Sequence, residues 1–259
     1  MFSIERKSEI LNILEQTGRV DVNALSDLFK ASRETIRRDL REMEEDGVLK
    51  RTHGGAVFNN LNPKVSDEFP VAVREIQRFS EKNAICKRAA AFVNYGDSIF
   101  IDNSSTCLYL LKYIPADLRV TVITNSIKLL IQSIKYNNPN HLIVCLGGFF
   151  NPGNLSLYGN ISQKNAMDYY PCKSFMSCAG IHPHHQLGDT SILEVDTKRL
   201  MIERSQEVFI LADHSKFEKA GHIYLSDFSS IHTIITDNKT PKDHLAFLEK
   251  TSINLIIAE

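Results

Sequence analysis

Ser32-Arg33-Glu34-Thr35-Ile36-Arg37-Arg38-Asp39-Leu40-Arg41-Glu42-Met43-Glu44-Glu45-Asp46-Gly47, followed by Val48-Leu49-Lys50-Arg51-Thr52-His53-Gly54-Gly55-Ala56-Val57-Phe58, decides how the chain begins. Ser32 is a residue type whose side-chain oxygen caps the first free N–H groups of a helix. Ile36, Leu40 and Met43 follow at the three-four spacing of a buried stripe, and Gly47 stops the helix. The Gly54-Gly55 pair between β-prone residues predicts a small hairpin. Upstream, Asp21 is placed to cap a shorter helix carrying Val22, Leu25, Leu28 and Phe29, ending near Lys30. Before it, Ile4, Ile10, Leu11 and Leu14 share one face of a first helix, closed by Thr17-Gly18. Two short helices joined through Lys30-Ala31-Ser32 make a helix-turn-helix, and the hairpin is its wing. Residues 1–58 are thus expected to form a winged helix-turn-helix.

With positions 36, 40 and 43 turned inward, Arg33, Glu34, Thr35, Arg37, Arg38 and Arg41 are left on the start and outer face of the third helix. Ser32, Arg33, Thr35 and Arg37 are the candidates for base edges, because recognition helices present their N-terminal residues to the major groove and a guanidinium pairs with guanine in bidentate fashion. Glu34 belongs to the same surface. Arg38 and Arg41, with Lys50, Arg51 and His53 on the wing, suit phosphates, which position without specifying sequence. The competing reading is a solvated helix face with pairs such as Arg38 with Glu42 and Arg41 with Glu45. It does not explain why arginines crowd the helix start while Glu42, Glu44, Glu45 and Asp46 fill its end, against the helix dipole. An external polyanion compensates that cost. The formal net charge of −1 excludes a generally basic surface, so nucleic-acid binding is confined to this cluster.

The 259 residues suit a small domain plus a larger one, and 43% hydrophobic with 24% charged residues is ordinary globular composition. Residues 59–73, with two prolines and no periodicity, read as a linker, and 74–259 as an α/β domain. A helix is expected from about residue 74 to 93. Beyond it β-rich runs at 98–102, 120–124, 142–146, 174–179, 208–212, 233–237 and 253–257 alternate with helical patterns, which predicts a mainly parallel sheet covered on both faces. The charged N-terminus is unlike a signal peptide, and no apolar run approaches the roughly 20 residues of a membrane span, so a cytoplasmic protein is expected. Five scattered cysteines without a C-x-x-C pair read as reduced core residues. His182-Pro183-His184-His185 near Cys172 and Cys178 has the composition but not the spacing of a metal site, and no metal or cofactor is expected.

The segment from Arg33 to Leu40, then Gly47 to Ala56, resembles the DeoR family of bacterial repressors of sugar operons. The resemblance continues through Gly96-Asp97-Ser98-Ile99-Phe100-Ile101-Asp102, Thr124-Asn125-Ser126, Leu146-Gly147-Gly148 and Leu211-Ala212-Asp213-His214-Ser215-Lys216-Phe217. It implies a homo-oligomer, dimer or tetramer, that binds double-stranded operator DNA, with a C-terminal domain similar to the sugar-phosphate isomerase and CoA-transferase fold that binds a phosphorylated sugar. Parallel sheets bind ligands beyond the carboxyl ends of their strands. Asp102, with Ser104, Ser105 and Thr106, follows the first strand and is the expected phosphate loop. Thr124, Asn125, Ser126, Gly147, Gly148, Gly180, Asp213, Ser215 and Lys216 complete the expected effector site, with Lys216 as a point charge. Ser104 stands where the family has glycine. Lys198 matches a family lysine, although a surface salt bridge with Glu194 or Asp196 explains it equally well. An isomerase-like enzyme carrying a DNA-binding domain is the alternative, but no carboxylate follows the strand ending Cys178-Ala179-Gly180-Ile181-His182, leaving only Asp102 and Asp213 as bases. A winged helix used for protein contacts is the other, and the arginine cluster speaks against it.

Overall fold

The structure, a computed structural model, describes residues 2–58 and 69–259 and divides into two compact units, Met1–Ser80 and Glu81–Glu259. The first contains α1 (Ser3–Thr17), β1 (Arg19–Asp21), α2 (Val22–Phe29), α3 (Arg33–Glu45), β2 (Leu49–Thr52), β3 (Gly55–Phe58) and α4 (Val71–Ile76). Gly18, in the left-handed region at φ 75°, ends α1 by returning its N–H to the Leu14 carbonyl at 2.8 Å. The Asp21 carboxylate caps α2, accepting from the N–H groups of Asn23 (2.8 Å) and Ala24 (3.0 Å). Ser32 Oγ caps α3 by accepting from Thr35 N–H at 3.1 Å. Strands β2 and β3 pair antiparallel with Thr52 opposite Gly55, leaving His53-Gly54 as the turn. A third strand joins this wing in the order β1-β3-β2. Strand β1, three residues long, carries no local pattern that announces it, but it explains Gly55: a Cβ there would run into the Val20 carbonyl. Ile10, Leu11, Leu14, Leu25, Ile36, Leu40 and Met43 form the buried core, as the periodicity requires.

Of the expected linker, 59–68 lies outside the described residues, whereas 71–73 belong to α4. Val73 and Ile76 of α4 pack on the winged-helix core, so the chain divides after Ser80 rather than at residue 73. The expected single helix from 74 to 93 is two, α4 and α5 (Phe79–Ala90), broken where Arg78 takes φ 52°.

The second unit continues with β4 (Ser98–Ile101), α6 (Leu110–Tyr113), β5 (Val120–Thr124), α7 (Ile127–Tyr136), β6 (His141–Cys145), β7 (Phe149–Asn151), β8 (Ser156–Tyr158), α8 (Asn160–Met167), β9 (Lys173–Met176), β10 (Gly180–His182), β11 (Gln186–Asp189), α9 (Val195–Arg204), β12 (Glu207–Leu211), β13 (Ile223–Ser226), β14 (Thr233–Asp237), α10 (Lys242–Leu245) and β15 (Asn254–Ala258). Seven strands form one wholly parallel sheet in the order β15-β14-β12-β9-β4-β5-β6. Its central strands are apolar on both sides: Phe100, Ile123, Met176, Ile210 and Ile234 are buried in one cluster, and Phe175 stacks on Phe209 at 4.9 Å. The hairpin β7-β8 and the three-stranded sheet β10-β11-β13 are antiparallel additions beside it. Among the described residues no helix is long and apolar enough to cross a membrane.

Candidate functional site

On the winged helix, Ser32, Arg33, Glu34, Arg37, Arg38 and Arg41 are exposed and Thr35 half-buried. Lys50, Arg51 and His53 are exposed on the wing, as expected. The Ser32 and Thr35 hydroxyls lie 2.9 Å apart within the helix cap, so both help to build the start of α3. Among the described residues Arg37 has one ion-pair neighbour, Glu34, loose at 3.9 Å. The pairs Arg38–Glu42 and Arg41–Glu45 are not formed: Lys7 takes Glu42 at 2.7 Å, and Arg51 takes Glu44 through Nε at 2.6 Å and its backbone N–H at 2.8 Å. These bonds hold both carboxyls below their usual pKa range. Arg33, Arg38, Arg41 and Lys50 form no ion pair among the described residues. A groove of about 610 Å³ runs between α3 and the wing, lined by Arg37, Glu44, Arg51, Thr52 and His53 among others. Behind it the buried Asp39 accepts from Arg6 Nε at 2.6 Å and Ser3 Oγ at 3.0 Å, fixing α3 to α1.

In the parallel sheet, β4 and β9 are neighbours from which the chain proceeds in opposite directions. Open sheets bind ligands in the crevice at such a reversal. Asp102 leaves β4 there, buried to 1% exposure; one carboxylate oxygen accepts from Ser104 N–H (3.1 Å) and the other from Ser177 N–H (3.1 Å), beyond β9. Lys198 reaches in from α9, donating to Asp189 (2.6 Å) and to the Ser177 carbonyl (2.7 Å), with Asp102 at 3.3 Å. At 6% exposure it is no surface salt-bridge residue, and its partners are neither Glu194 nor Asp196. Burial alone would lower the Lys198 pKa and raise that of Asp189, but their mutual attraction reverses both, keeping the ammonium and the carboxylate charged. Ser104 Oγ accepts from Cys107 N–H at 3.1 Å, so the serine at the glycine position closes the loop on itself. Ser105 Oγ accepts from Lys82 Nζ (3.0 Å) and the Thr106 carbonyl from Cys86 (3.0 Å).

From the end of β5, Thr124 Oγ1 accepts from Ser126 N–H, and Ser126 Oγ caps α7 through Leu129 N–H. Asn125 is fully buried; its amide donates to the Leu157 carbonyl (3.1 Å) and Asn103 Oδ1 (3.4 Å), while its Oδ1 has no partner. Gly147 and Gly148 lie past β6, two strands from β4, where a Cβ on Gly148 would strike Ser162 and the Tyr158 carbonyl. Gly180 is similarly pressed against the Lys219 backbone. Close packing accounts for both glycines. Asp213 follows β12, next to β9, and its carboxylate accepts from Ser215 N–H (3.0 Å), shaping the turn that carries Lys216. Lys82, Asp189 and Glu194 were absent from the residues expected here. Glu194 and Lys198 share a helical face four residues apart, a signal a sequence reading can use. Asp189 and Lys82 arrive from elements whose placement only the fold reveals. Burial pushes the Cys178 thiol up to about 12, so it is an inert neighbour. His182 Nδ1 accepts from the backbone of His184 and His185, and among the described residues no group of three His, Cys, Asp or Glu side chains is arranged to hold a metal ion.

A winged helix with unpaired arginines on its recognition helix, on one chain with a parallel α/β domain whose crevice gathers polar groups, defines a DNA-binding transcriptional regulator with a sensor domain. A DeoR-like helix-turn-helix domain matches residues 6–61 and a DeoR C-terminal sensor domain matches residues 77–238. The chain belongs to the DeoR family. It is 34% identical over 255 residues to the HTH-type transcriptional regulator YulB of Bacillus subtilis, covering 98% of this chain and 96% of that one. It is 30% identical to the HTH-type transcriptional repressor GlcR of the same organism (100% and 98% covered) and 31% identical to the L-fucose operon activator of Haemophilus influenzae (97% and 99%). Among solved structures, ribose 5-phosphate isomerase A from Methanocaldococcus jannaschii is similar over 52% of each chain, with 16% identity and a TM-score of 0.38.

Proposed function

We propose that the protein is a cytoplasmic repressor of a carbohydrate-utilisation operon, released from its operator when a phosphorylated sugar enters the crevice at the ends of β4, β5 and β9. The observation that carries this reading is the gathering of the Asp102–Thr106 loop, Asn125 and Lys198 at the point where the sheet order reverses. Hydroxyl groups and Asn125 Oδ1 suit a polyol; Lys198 is neutralised by Asp189 and Asp102, so positive charge toward an anion comes from Lys82, bonded to Ser105, and from Lys216. Gly148 and Gly180 fit this reading as shape, by letting backbones approach closely, and Gly147 by the left-handed turn it makes at φ 69°. The protein named GlcR is a repressor and the L-fucose protein an activator; repression is preferred here because release by ligand needs only weakened DNA binding. Two or four copies would each read a half-site, with Ser32–Arg41 in the major groove and the wing on phosphates.

No catalytic role accompanies this reading. Asp102 accepts from the Ser104 and Ser177 N–H groups and lies beside the Lys198 ammonium, contacts that hold it as a charged structural group and make it a poor base. The test is a thermal-shift screen of the full chain with hexose and pentose phosphates, followed by operator binding with each ligand that stabilises it. A ligand at 100 times its Kd stabilises the native state by about 2.7 kcal/mol, a readily measured rise in Tm. The reading stands if such a ligand also lowers operator affinity, and falls if none binds or if binding leaves operator affinity unchanged.

A further inference from the structure

We infer that Glu194 is the positioning residue of the sensor site, holding the β7-β8 hairpin to the Asn103–Asn125 end of the crevice so that the hairpin responds to what occupies it. This rests on the crevice being the effector site. Glu194 stands at the start of α9, 3% exposed. Its carboxylate accepts from Asn103 Nδ2 (3.0 Å) on one side. On the other it accepts from Asn151 (3.1 Å), from Asn154 with one bond to each oxygen (3.2 and 3.1 Å), and from the Ser156 hydroxyl. Every one of these donors is neutral. Among the described residues no cation pairs with it, and the cost of burying the carboxylate is offset by the five hydrogen bonds it accepts; an amide would turn a donor toward these donors and an apolar residue would leave them unpaired. What the charge provides is reach: one side chain joins the loop after β4 to three residues of a hairpin far from it in sequence.

The hairpin joins the rest of the domain through glycines on both sides. Gly147, Gly148 and Gly159 flank it with φ of 69°, 115° and 91°, and its outward residues Phe149 and Phe150 are more than half exposed. Besides Glu194, its inner side is held by the segment after β5: Leu157 N–H donates to the Asn125 carbonyl (2.8 Å), the Asn125 amide donates to the Leu157 carbonyl, Ile127 N–H donates to the Leu155 carbonyl (2.9 Å), and Ser126 bridges to Ser156. Asn125 therefore carries an acceptor without a partner on one atom and a hairpin bond on the other. A ligand hydroxyl donating to Asn125 Oδ1 adds a bond to an amide whose Nδ2 already holds Asn103 Oδ1 and the Leu157 carbonyl, and so acts on the same network that Glu194 anchors. The chemistry recognised is a hydroxyl donor of a polyol, and the response is a change in how firmly residues 149–158 are held.

Hydrogen–deuterium exchange on the full chain tests this, comparing the wild type, Glu194→Gln and Asn154→Ala, each with and without glucose 6-phosphate, fructose 6-phosphate and ribose 5-phosphate. Glu194→Gln keeps the shape but replaces one acceptor oxygen by a donor, and Asn154→Ala removes one anchor without touching α9, so it serves if the first variant folds poorly. In the absence of ligand, amides at 149–158 should exchange at least tenfold faster in both variants while β4 and β9 are unchanged. Uniformly faster exchange, or none, would mark Glu194 as ordinary packing and overturn the inference. With ligand, a sugar phosphate that protects residues 102–106 should change hairpin exchange in the wild type and not in Glu194→Gln. Protection of 102–106 with the hairpin unaffected also overturns it. If no sugar phosphate protects 102–106, the effector reading fails, while the ligand-free comparison still decides the role of Glu194.

Discussion

Arg37 and Asp39 sit two residues apart on α3 and have opposite roles. Arg37 is exposed, with a loose contact to Glu34, and is free to swing to a base edge. Arg37→Ala should cost about 1–3 kcal/mol of operator affinity and relax preference at one base position, measured by titrating operators randomised at single positions. Loss of affinity equal for all sequences would instead make it a phosphate contact. Asp39 is buried against Arg6, and Asp39→Ala leaves that guanidinium buried without its partner; about 3–5 kcal/mol of stability should be lost in denaturant melts. In the sensor domain Asp189 is the residue whose titration matters. Its folded pKa is depressed, so its contribution is complete above the unfolded value of about 3.9 and disappears as pH falls through the folded one. Lys198, with a raised pKa, contributes fully below its unfolded value of about 10.4, so the pair is constant from pH 5 to 8. Asp189→Asn should flatten the acid limb of the stability curve below about pH 4, and an unchanged limb would show that other carboxyls dominate it. The loop at Asp102 was legible because strand, aspartate and hydroxyls are consecutive in sequence. Lys82 was not, because an isolated charged residue on a helix reads as solvent-facing until the fold buries it, and Glu194 showed only as a possible surface partner of Lys198, which it does not pair with.

At the level of elements, the winged helix was legible almost throughout because each helix carries its own cap and its own apolar stripe. The seven parallel strands were legible for a related reason: apolar on both sides, they stand out as continuous runs. What escaped were β1, β7, β8, β10, β11 and β13, each of three or four residues, whose pairing is decided by distant partners rather than by local pattern. The break between α4 and α5 escaped because Arg78 adopts a left-handed conformation that composition does not announce. The wing shows why elements revise residue assignments. Arg51 was expected on a phosphate, but Glu44 holds it through both side chain and backbone, tying wing to α3. In a plot of log affinity against log salt, Lys50→Ala or Arg38→Ala should each lower the slope by about 0.9, one phosphate contact apiece. Arg51→Ala should weaken binding with little change of slope. A full unit lost at Arg51 would show that DNA draws it away from Glu44.

For the whole molecule, the charge balance constrains how the DNA can be held. With a formal net charge of −1, long-range attraction is slight and the unpaired cations of one winged helix are few. Of those on α3 and the wing, Arg38, Arg41 and Lys50 suit phosphates, which gives a salt slope of roughly −3 and weak binding at physiological salt. Two copies on one operator double that number and add a second set of base contacts. Half-site spacing then becomes a geometric requirement, because both recognition helices must meet the major groove on the same face of the duplex, about one helical turn or a multiple of it apart. The expected outcome follows directly for a mapped operator. Inserting five base pairs between the half-sites turns one of them to the opposite face and should reduce affinity to that of a single half-site. Inserting ten restores the face, and with it at least part of the affinity. Equal loss for both insertions would mean that the spacing itself is fixed rigidly by the oligomer, and no loss for either would mean that each copy binds alone.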